Sequence, residues 1–405
     1  MSEETTIPAR RRVLSGMRPT GKLHLGNYVG ALKNWVQLQR EVLADGTPKY
    51  ECFFFIADYH ALTTDYADTS KLKENVREVA LDFLAAGLDP NLCTIFIQSY
   101  VPAHFELNDL LAMITPLSWL ERVPSYKDQQ EQLKEKDLAT FGFLGYPLLQ
   151  SADILIYQAD FVPVGQDQAA HVEITREIAR RFNFLYPKNR NLYGPSTIVK
   201  HDSSGKTPLF EIPIPKAPTD STPGAVMQWD SSGAVTRPID DPKQFIDAVG
   251  ILPEPKVLLT PSPKLPGTDG RKMSKSYNNT VLLSDPEAEV RAKLKTMVTD
   301  PARIRRTDPG NPDVCPVFDL HRVFSNDAKQ AEVRTGCTTA GIGCIQCKDR
   351  LADEVVRELA PIQERRRYFE ANPAEVDAIF EAGNARANVR ANRTMQEVRV
   401  AMGLR

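Results

Sequence analysis

The sequence predicts an α/β protein, a doubly wound parallel sheet followed by an all-helical region. Three observations predict it. Short apolar runs alternate with helix-patterned segments through the first half of the chain. Polar residues follow those runs at their carboxyl ends, and after Pro286 the apolar spacing becomes helical throughout. Sheets of this kind bind ligands beyond the carboxyl ends of their strands. His24, His60, Gln98 and Asp167 are therefore expected to converge on one crevice.

The chain has 405 residues, enough for two or three domains and a large core. Its 42% hydrophobic and 25% charged residues are ordinary globular usage. A net charge of −2 excludes a globally basic nucleic-acid binder, so any RNA contact must be a local patch. No apolar run reaches membrane-spanning length, and residues 1–11 lack the apolar core of a secretion signal. No membrane partner and a cytoplasmic location are expected.

The stretch that organises the rest is residues 15–27, Ser-Gly-Met-Arg-Pro-Thr-Gly-Lys-Leu-His-Leu-Gly-Asn. Val13-Leu14 leads into it as a strand, and His24-Leu25-Gly26-Asn27 opens a helical pattern through Tyr28, Leu32, Trp35 and Leu38. Strand, tight turn and helix start aim free backbone N–H groups at an anion. Gly21 and Gly26 allow close approach of a ligand or backbone. His24 and Asn27, three apart, share one face of the first turn and can donate to the same phosphates; a lone His there is otherwise a cap. Strands are expected at 52–57, 94–98 and 161–164, with helices at 71–87, 106–113 and from Gly165-Gln-Asp-Gln to about Phe182. Neither Gly-x-Gly-x-x-Gly nor a complete phosphate loop occurs, since Lys200 stands where the upstream Gly of Gly205-Lys-Thr belongs.

Tyr146, Gln150 and Asp153 fall at i, i+4 and i+7, one polar face of an otherwise apolar helix that Pro147 starts. A buried carboxylate is costly without donors. Asp153 therefore belongs either to a structural network with Tyr146 or to a pocket for a small amphipathic ligand bearing an N–H or O–H. Gly270-Arg-Lys272-Met273-Ser274-Lys275-Ser276-Tyr-Asn reads as a loop whose ammonium groups can follow a polyphosphate.

Lys-Met-Ser-Lys-Ser, about 250 residues after His-Leu-Gly-Asn, resembles the paired signatures of class I aminoacyl-tRNA synthetases. The resemblance is closest to tryptophanyl-tRNA synthetases, through Gly-Asn-Tyr-Val-Gly-Ala-Leu-Lys-Asn-Trp, Ala-Asp-Tyr-His-Ala-Leu, Val-Pro-Val-Gly-Gln-Asp-Gln and the closing Ala-Met-Gly-Leu. It implies a Rossmann-like catalytic domain and activation of L-tryptophan by ATP and Mg²⁺, followed by transfer to tRNA(Trp), in an enzyme that is typically a homodimer. It further implies catalytic roles for His24, Asn27, Lys272 and Lys275. ATP would be bound by these four with Arg18, Thr20, Gly21, Gly26, Gly165, Asp167, Gln168, Met273, Ser274 and Ser276. Tryptophan would be bound by Asp153 at the indole N–H, with Tyr146, Gln150, His60, Val162, Val164 and Gln168 around it. Lys127 is a looser match for a phosphate contact. Gln150 stands where an apolar Met is common and Leu14 where an aromatic is, and Tyr-x-x-x-Gln-x-x-Asp also resembles the pocket of tyrosyl-tRNA synthetases. Tyrosine is the alternative substrate; a non-charging RNA-binding or redox-sensing paralogue is a more distant one.

The expected domains are a catalytic domain at 1–199 and a Pro-rich insertion at 200–254 with a hairpin about residues 230–233. Residues 255–284 then complete the catalytic domain, and 285–405 form a helical anticodon-binding domain. Arg365, Arg366, Arg367, Arg386, Arg390 and Arg393 give that domain a basic bias suited to RNA. Cys52 and Cys93 sit in strand-like runs as inert thiols. Cys315, Cys337, Cys344 and Cys347, with 21, 6 and 2 residues between them, suit a four-sulfur site in a reducing cytosol. Spacing leaves zinc and iron–sulfur open; the local sequence resembles the tryptophanyl enzymes that carry a [4Fe–4S] cluster.

Overall fold

The computed structural model describes residues 11–123, 140–165, 169–186, 193–201, 208–215, 250–259 and 265–404. These form two compact units. The first comprises Met1–Val101, Phe161–Ala169 and Val257–Ala387; the second comprises Pro102–Asp160, Ala170–Lys256 and Asn388–Arg405.

The first unit contains the sheet. Strands β1 (Arg11–Met17), β2 (Tyr50–Ile56), β3 (Cys93–Ile97) and β4 (Phe161–Val164) are joined by a later strand, Lys256–Leu259, in the order β3-β2-β1-β4-Lys256–Leu259. β1 pairs in parallel with β2 and with β4, and β2 with β3. The near-continuous apolar run of β2 follows from burial on both faces, since Cys52 through Ile56 are all inaccessible. From β1 the chain steps outward to β3 and then returns to the opposite side of β1 as β4. That reversal opens the crevice beyond the carboxyl ends of β1 and β4. Ser15 Oγ donates to the Pro163 carbonyl at 3.3 Å, closing the sheet beside it.

The helix Leu72–Ala86 covers one face and ends at Gly87, left-handed at φ +108°. Gln98, expected to face the crevice, is instead fully buried and accepts the Tyr59 N–H at 3.1 Å. It stitches β3 to the helix Asp58–Asp65, which carries His60. After the sheet the unit is helical, through Glu287–Thr296, Pro316–Phe324, Asp327–Thr338 and Cys344–Ala371.

The second unit packs the helix Ala103–Ala112 against Tyr146–Ile156, and also holds the short helices Leu117–Glu121 and Phe141–Leu144, most of Ala169–Leu185 and the end of Pro373–Met402. It also contains an antiparallel ribbon, β5 (Tyr193–His201) with β6 (Pro208–Pro215), in the register Ile198 to Ile212. Three prolines in β6 masked it in the sequence, because proline removes ladder donors and suits only edges. The hairpin expected about 230–233, with Trp229, lies outside the described residues, as do Lys127, Asp167 and Gln168.

Candidate active site

The turn after β1 is shaped for approach. Gly21 adopts φ +95°, a conformation that side chains rarely take. His24 then caps the helix start Leu25–Asn27: its Nδ1 accepts the Asn27 N–H at 3.3 Å, and the Asn27 Oδ1 accepts the His24 N–H at 3.1 Å. A Cβ on Gly26 would lie 2.9 Å from the imidazole, so this glycine makes room for the ring. Burial first, then the charges of Lys275 and Lys272, push the His24 pKa down to about 4. With Nδ1 accepting, the hydrogen bonding assigns the proton of the neutral ring to Nε2. Capping therefore occupies Nδ1 and leaves the proton on Nε2.

The second lysine-bearing loop belongs to the same unit, and backbone pairing ties it to the first. Leu25 N–H donates to the Val281 carbonyl and Leu283 N–H to the Leu23 carbonyl, both at 2.9 Å. Lys275 Nζ donates to the carbonyls of Thr20 and Gly21 at 2.9 Å each. Burial draws its pKa down to about 8. Lys272 is exposed, whereas Met273 is buried with its Cβ 3.6 Å from where a Gly26 Cβ would stand. The Ser274 and Ser276 hydroxyls share a 2.9 Å hydrogen bond.

Two details were not visible in the sequence. Asn279, buried at 1% exposure, accepts the Ser274 N–H at 2.8 Å and donates to Asp269 at 2.6 Å and to the Lys272 carbonyl at 3.2 Å. It is the internal brace of the lysine loop. Arg18 turns onto Thr64 at 2.5 Å and Asp65 at 3.4 Å. Gly165 follows β4 at the crevice side of the sheet.

The residues expected around an aromatic ligand are divided between the units. His60, Val162 and Val164 belong to the first, and Tyr146, Gln150 and Asp153 to the second. In the second unit Asp153 is buried at 1% exposure and accepts from His104 Nδ1 at 2.6 Å, while His104 Nε2 meets the Tyr157 hydroxyl at 2.8 Å. Tyr146 donates to or accepts from His171 Nε2 at 3.1 Å, and Gln150 is half-buried. His104 is the donor that the sequence demanded for Asp153 but did not name.

Of the arginines expected to face RNA, several are consumed internally. Arg366 is buried among Asp82, Glu78 and Glu370, and Arg365 Nε donates to the Ala85 carbonyl at 2.6 Å. Arg386 donates to the Pro90 carbonyl and Arg390 to Gln158. Arg367 and Arg393 are exposed.

All six cysteines are free thiols. Burial, followed by the charges of Cys315, Cys337 and Cys344, pushes the Cys347 thiol up to about 12. Arg303 Nη1 lies 3.8 Å from Cys337 Sγ, and a Cβ on Gly310 would come within 2.7 Å of that sulfur. The four thiols thus feel one another's charge. Among the described residues, however, no three His, Cys, Asp or Glu side chains converge as ligands of a single metal ion. No described helix is long and apolar enough to cross a membrane.

Comparison with known proteins places this geometry. The family model described as class I tRNA synthetases (W and Y) matches residues 8–207 and 236–360. The tryptophan–tRNA ligase of Ralstonia nicotianae is 50% identical over 97% of this chain and 98% of its own. That of Thermotoga maritima is 45% identical, over 97% and 99%. Among solved structures, the tryptophanyl-tRNA synthetase of Campylobacter jejuni complexed with ADP and tryptophan superimposes with a TM-score of 0.71 at 30% identity. That match covers 97% of this chain and all of that one.

Proposed function

Because the chain belongs to the tryptophan–tRNA ligases of the class I tRNA synthetases, and so joins tryptophan to tRNA at the expense of ATP, we propose which of its residues do the work. The observation that carries the proposal is the seating of Lys275 on the carbonyls of Thr20 and Gly21, in the loop that leads to His24. A tryptophan carboxylate oxygen attacks the α-phosphorus of ATP in line. The new carboxyl–phosphorus bond forms as the bridging oxygen leaves with pyrophosphate. His24 Nε2–H, the Asn27 amide, Lys272 and Lys275 meet the charge that develops on the phosphates. Arg18, Thr20, Gly21, Gly26, Gly165, Met273, Ser274 and Ser276 shape the nucleotide site, together with Asp167 and Gln168. Mg²⁺ arrives with ATP, whose phosphate oxygens suit it, and neutralises part of their charge. No covalent protein nucleophile is required, since positioning and electrostatics suffice.

Asp153 accepts the indole N–H, with Tyr146, Gln150, His60, Val162, Val164 and Gln168 around the ring. Phenylalanine is disfavoured because it brings no N–H to that acid, which His104 alone then serves. The helical region carrying Arg367 and Arg393 contacts tRNA(Trp). The working form is a homodimer, as is typical of the family to which the chain belongs. Four cysteines spaced for metal, not disulfides, support a reducing, cytoplasmic setting.

Cys315, Cys337, Cys344 and Cys347 hold a [4Fe–4S] cluster in this reading, with Zn²⁺ the alternative. A single zinc draws four sulfurs to about 3.8 Å from one another, given Zn–S bonds of about 2.3 Å. Arg303 Nη1, 3.8 Å from Cys337 Sγ, is placed to offset thiolate charge at the site, and the resemblance of the local sequence to cluster-bearing enzymes favours the cluster. Brown protein with iron and inorganic sulfide supports the cluster; colourless protein with one zinc overturns it.

Pyrophosphate exchange into ATP, run with each amino acid in turn, tests the proposal. Exchange with tryptophan is expected, and exchange with tyrosine instead overturns the substrate assignment.

A further inference from the structure

Resting on the reading that the His24 loop binds ATP phosphates, we propose that Asp82 and Arg366 are positioning residues of the activation step. This buried pair fixes the backbone immediately before His24 and fastens it to the long helix Cys344–Ala371.

Asp82 sits in the middle of Leu72–Ala86 with no exposed surface. An acid there is costly unless its oxygens are satisfied, and both are. Oδ2 accepts the Leu23 N–H at 2.7 Å, and Oδ1 accepts from Arg366 Nη1. Arg366, 3% exposed and 284 residues away, also donates to Glu78 and, through Nε at 2.8 Å, to Glu370. The same helix reaches the stretches that follow the two signature segments twice more. Glu358 accepts from the Tyr28 hydroxyl at 2.8 Å and from Lys33 at 2.9 Å. Gln363 Nε2 donates to the carbonyls of Leu283 at 3.2 Å and Asp285 at 2.9 Å. Leu283 in turn donates its N–H to the Leu23 carbonyl. Leu23 is therefore gripped on both backbone groups, by Asp82 at its N–H and by Leu283 at its C=O. His24, the next residue, inherits that orientation.

Asp accepts on both oxygens, whereas Asn has only one to offer. Asp82→Asn therefore cannot satisfy the Leu23 N–H and the Arg366 guanidinium together. Misplacing a binding group by about 1 Å costs on the order of 100-fold. D82N is expected to lower kcat/KM for ATP in tryptophan-dependent pyrophosphate exchange by about that factor. The dissociation constant for tryptophan alone, by equilibrium dialysis, should move less than about twofold, because that ligand does not use the loop.

Two combinations separate positioning from mere stability. Adding Arg366→Gln gives the new amide at position 82 an acceptor and should restore most of the ATP step. Combining D82N with His24→Asn should cost less than about threefold beyond His24→Asn alone, since the two act through one loop. Should D82N not fold, as a thermal scan will show, Arg366→Lys replaces it. Lysine keeps the charge but loses the fork, so roughly a tenfold selective fall in kcat/KM for ATP is expected. Unchanged ATP kinetics, equal losses for ATP and tryptophan, or losses that multiply with His24→Asn overturn the inference. Failure of the unaltered protein to exchange pyrophosphate with tryptophan would instead remove the underlying reading of the site.

Discussion

Titration of His24 offers the most direct check on the ATP-site chemistry. Its ring is buried beside two lysines, and its pKa lies at about 4 instead of 6.5. The folded state thus refuses a proton that the unfolded chain accepts below pH 6.5. Stability from this group is complete above pH 6.5 and is lost as the pH falls towards 4. At about 1.36 kcal/mol per pK unit, the full difference is on the order of 3 kcal/mol, of which about 2 kcal/mol is lost by pH 5. On the proposed reading of the site, the functional corollary is that His24 would donate Nε2–H as a neutral imidazole throughout the physiological range. Histidine-labelled protein observed by carbon–proton NMR, with His24→Asn to identify the resonance, measures this directly. The His24 signal should remain unprotonated at pH 5.5. Because burial is the largest cause and the lysines follow it, Lys275→Met should raise the midpoint by less than about one unit. A midpoint near or above 6 in the free protein would refute the reasoning, since a cationic ring needs no buried cap and no tautomer to serve as donor.

Further outcomes follow from the same geometry. Lys275→Met should slow tryptophan activation by roughly 10²–10³-fold with little change in tryptophan affinity, the loss typical of a charge-stabilising donor; an unaltered rate in rapid quench would exclude that role. Since the Lys275 pKa is about 8 in the free protein, kcat/KM for ATP should fall above pH 8, and in the Lys275→Met variant this alkaline limb should disappear. Asn279→Ala removes three hydrogen bonds from the lysine loop. At roughly 1–3 kcal/mol for buried partners left unsatisfied, it should raise KM for ATP about tenfold or more, which steady-state exchange assays will show. Cys52, pushed up to about 12 by burial, and Cys93, raised by the same cause, should resist a disulfide reagent in the native protein. Rapid modification of all six thiols without unfolding would contradict the burial of those two strands.

Features legible in the sequence were those that local chemistry determines. The apolar run of β2, Gly87 as a helix stop and His24 with Asn27 on one helical turn are each written within a few residues. Partners were not. The polar face of Tyr146–Ile156 announced that Asp153 needed a donor, but periodicity identifies a face and never what meets it, so His104, 49 residues away, stayed hidden. The run Arg365-Arg366-Arg367 misled for a related reason. A guanidinium suits carboxylate and phosphate equally well, and here Arg366 had already found Asp82 and Glu78. Asp82 itself does carry a local signal, a lone acid amid Val-Ala-Leu and Phe-Leu-Ala-Ala in an amphipathic helix.

The lysine loop is held in different ways at its carboxyl-terminal end and at its tip, and that difference bears on how nucleotide would enter the proposed site. At its carboxyl-terminal end the loop is fixed by backbone pairing of residues 281–283 with 23–25, flanked by the buried Val281 and Leu283. At its tip Lys275 rests on neutral acceptors, the carbonyls of Thr20 and Gly21 and, at 3.3 Å, the Thr20 hydroxyl. Hydrogen bonds from an ammonium to phosphate oxygens are charge-assisted on both sides and stronger than those to carbonyls. Lys275 is also partly desolvated where it stands, which is why its pKa is depressed. If the β1 turn is the triphosphate site proposed above, an arriving triphosphate should draw the ammonium off these acceptors. Because residues 281–283 are held to 23–25 by backbone pairing, the expected response is a movement of the Lys275 side chain and its turn alone, which a nucleotide-bound structure will show.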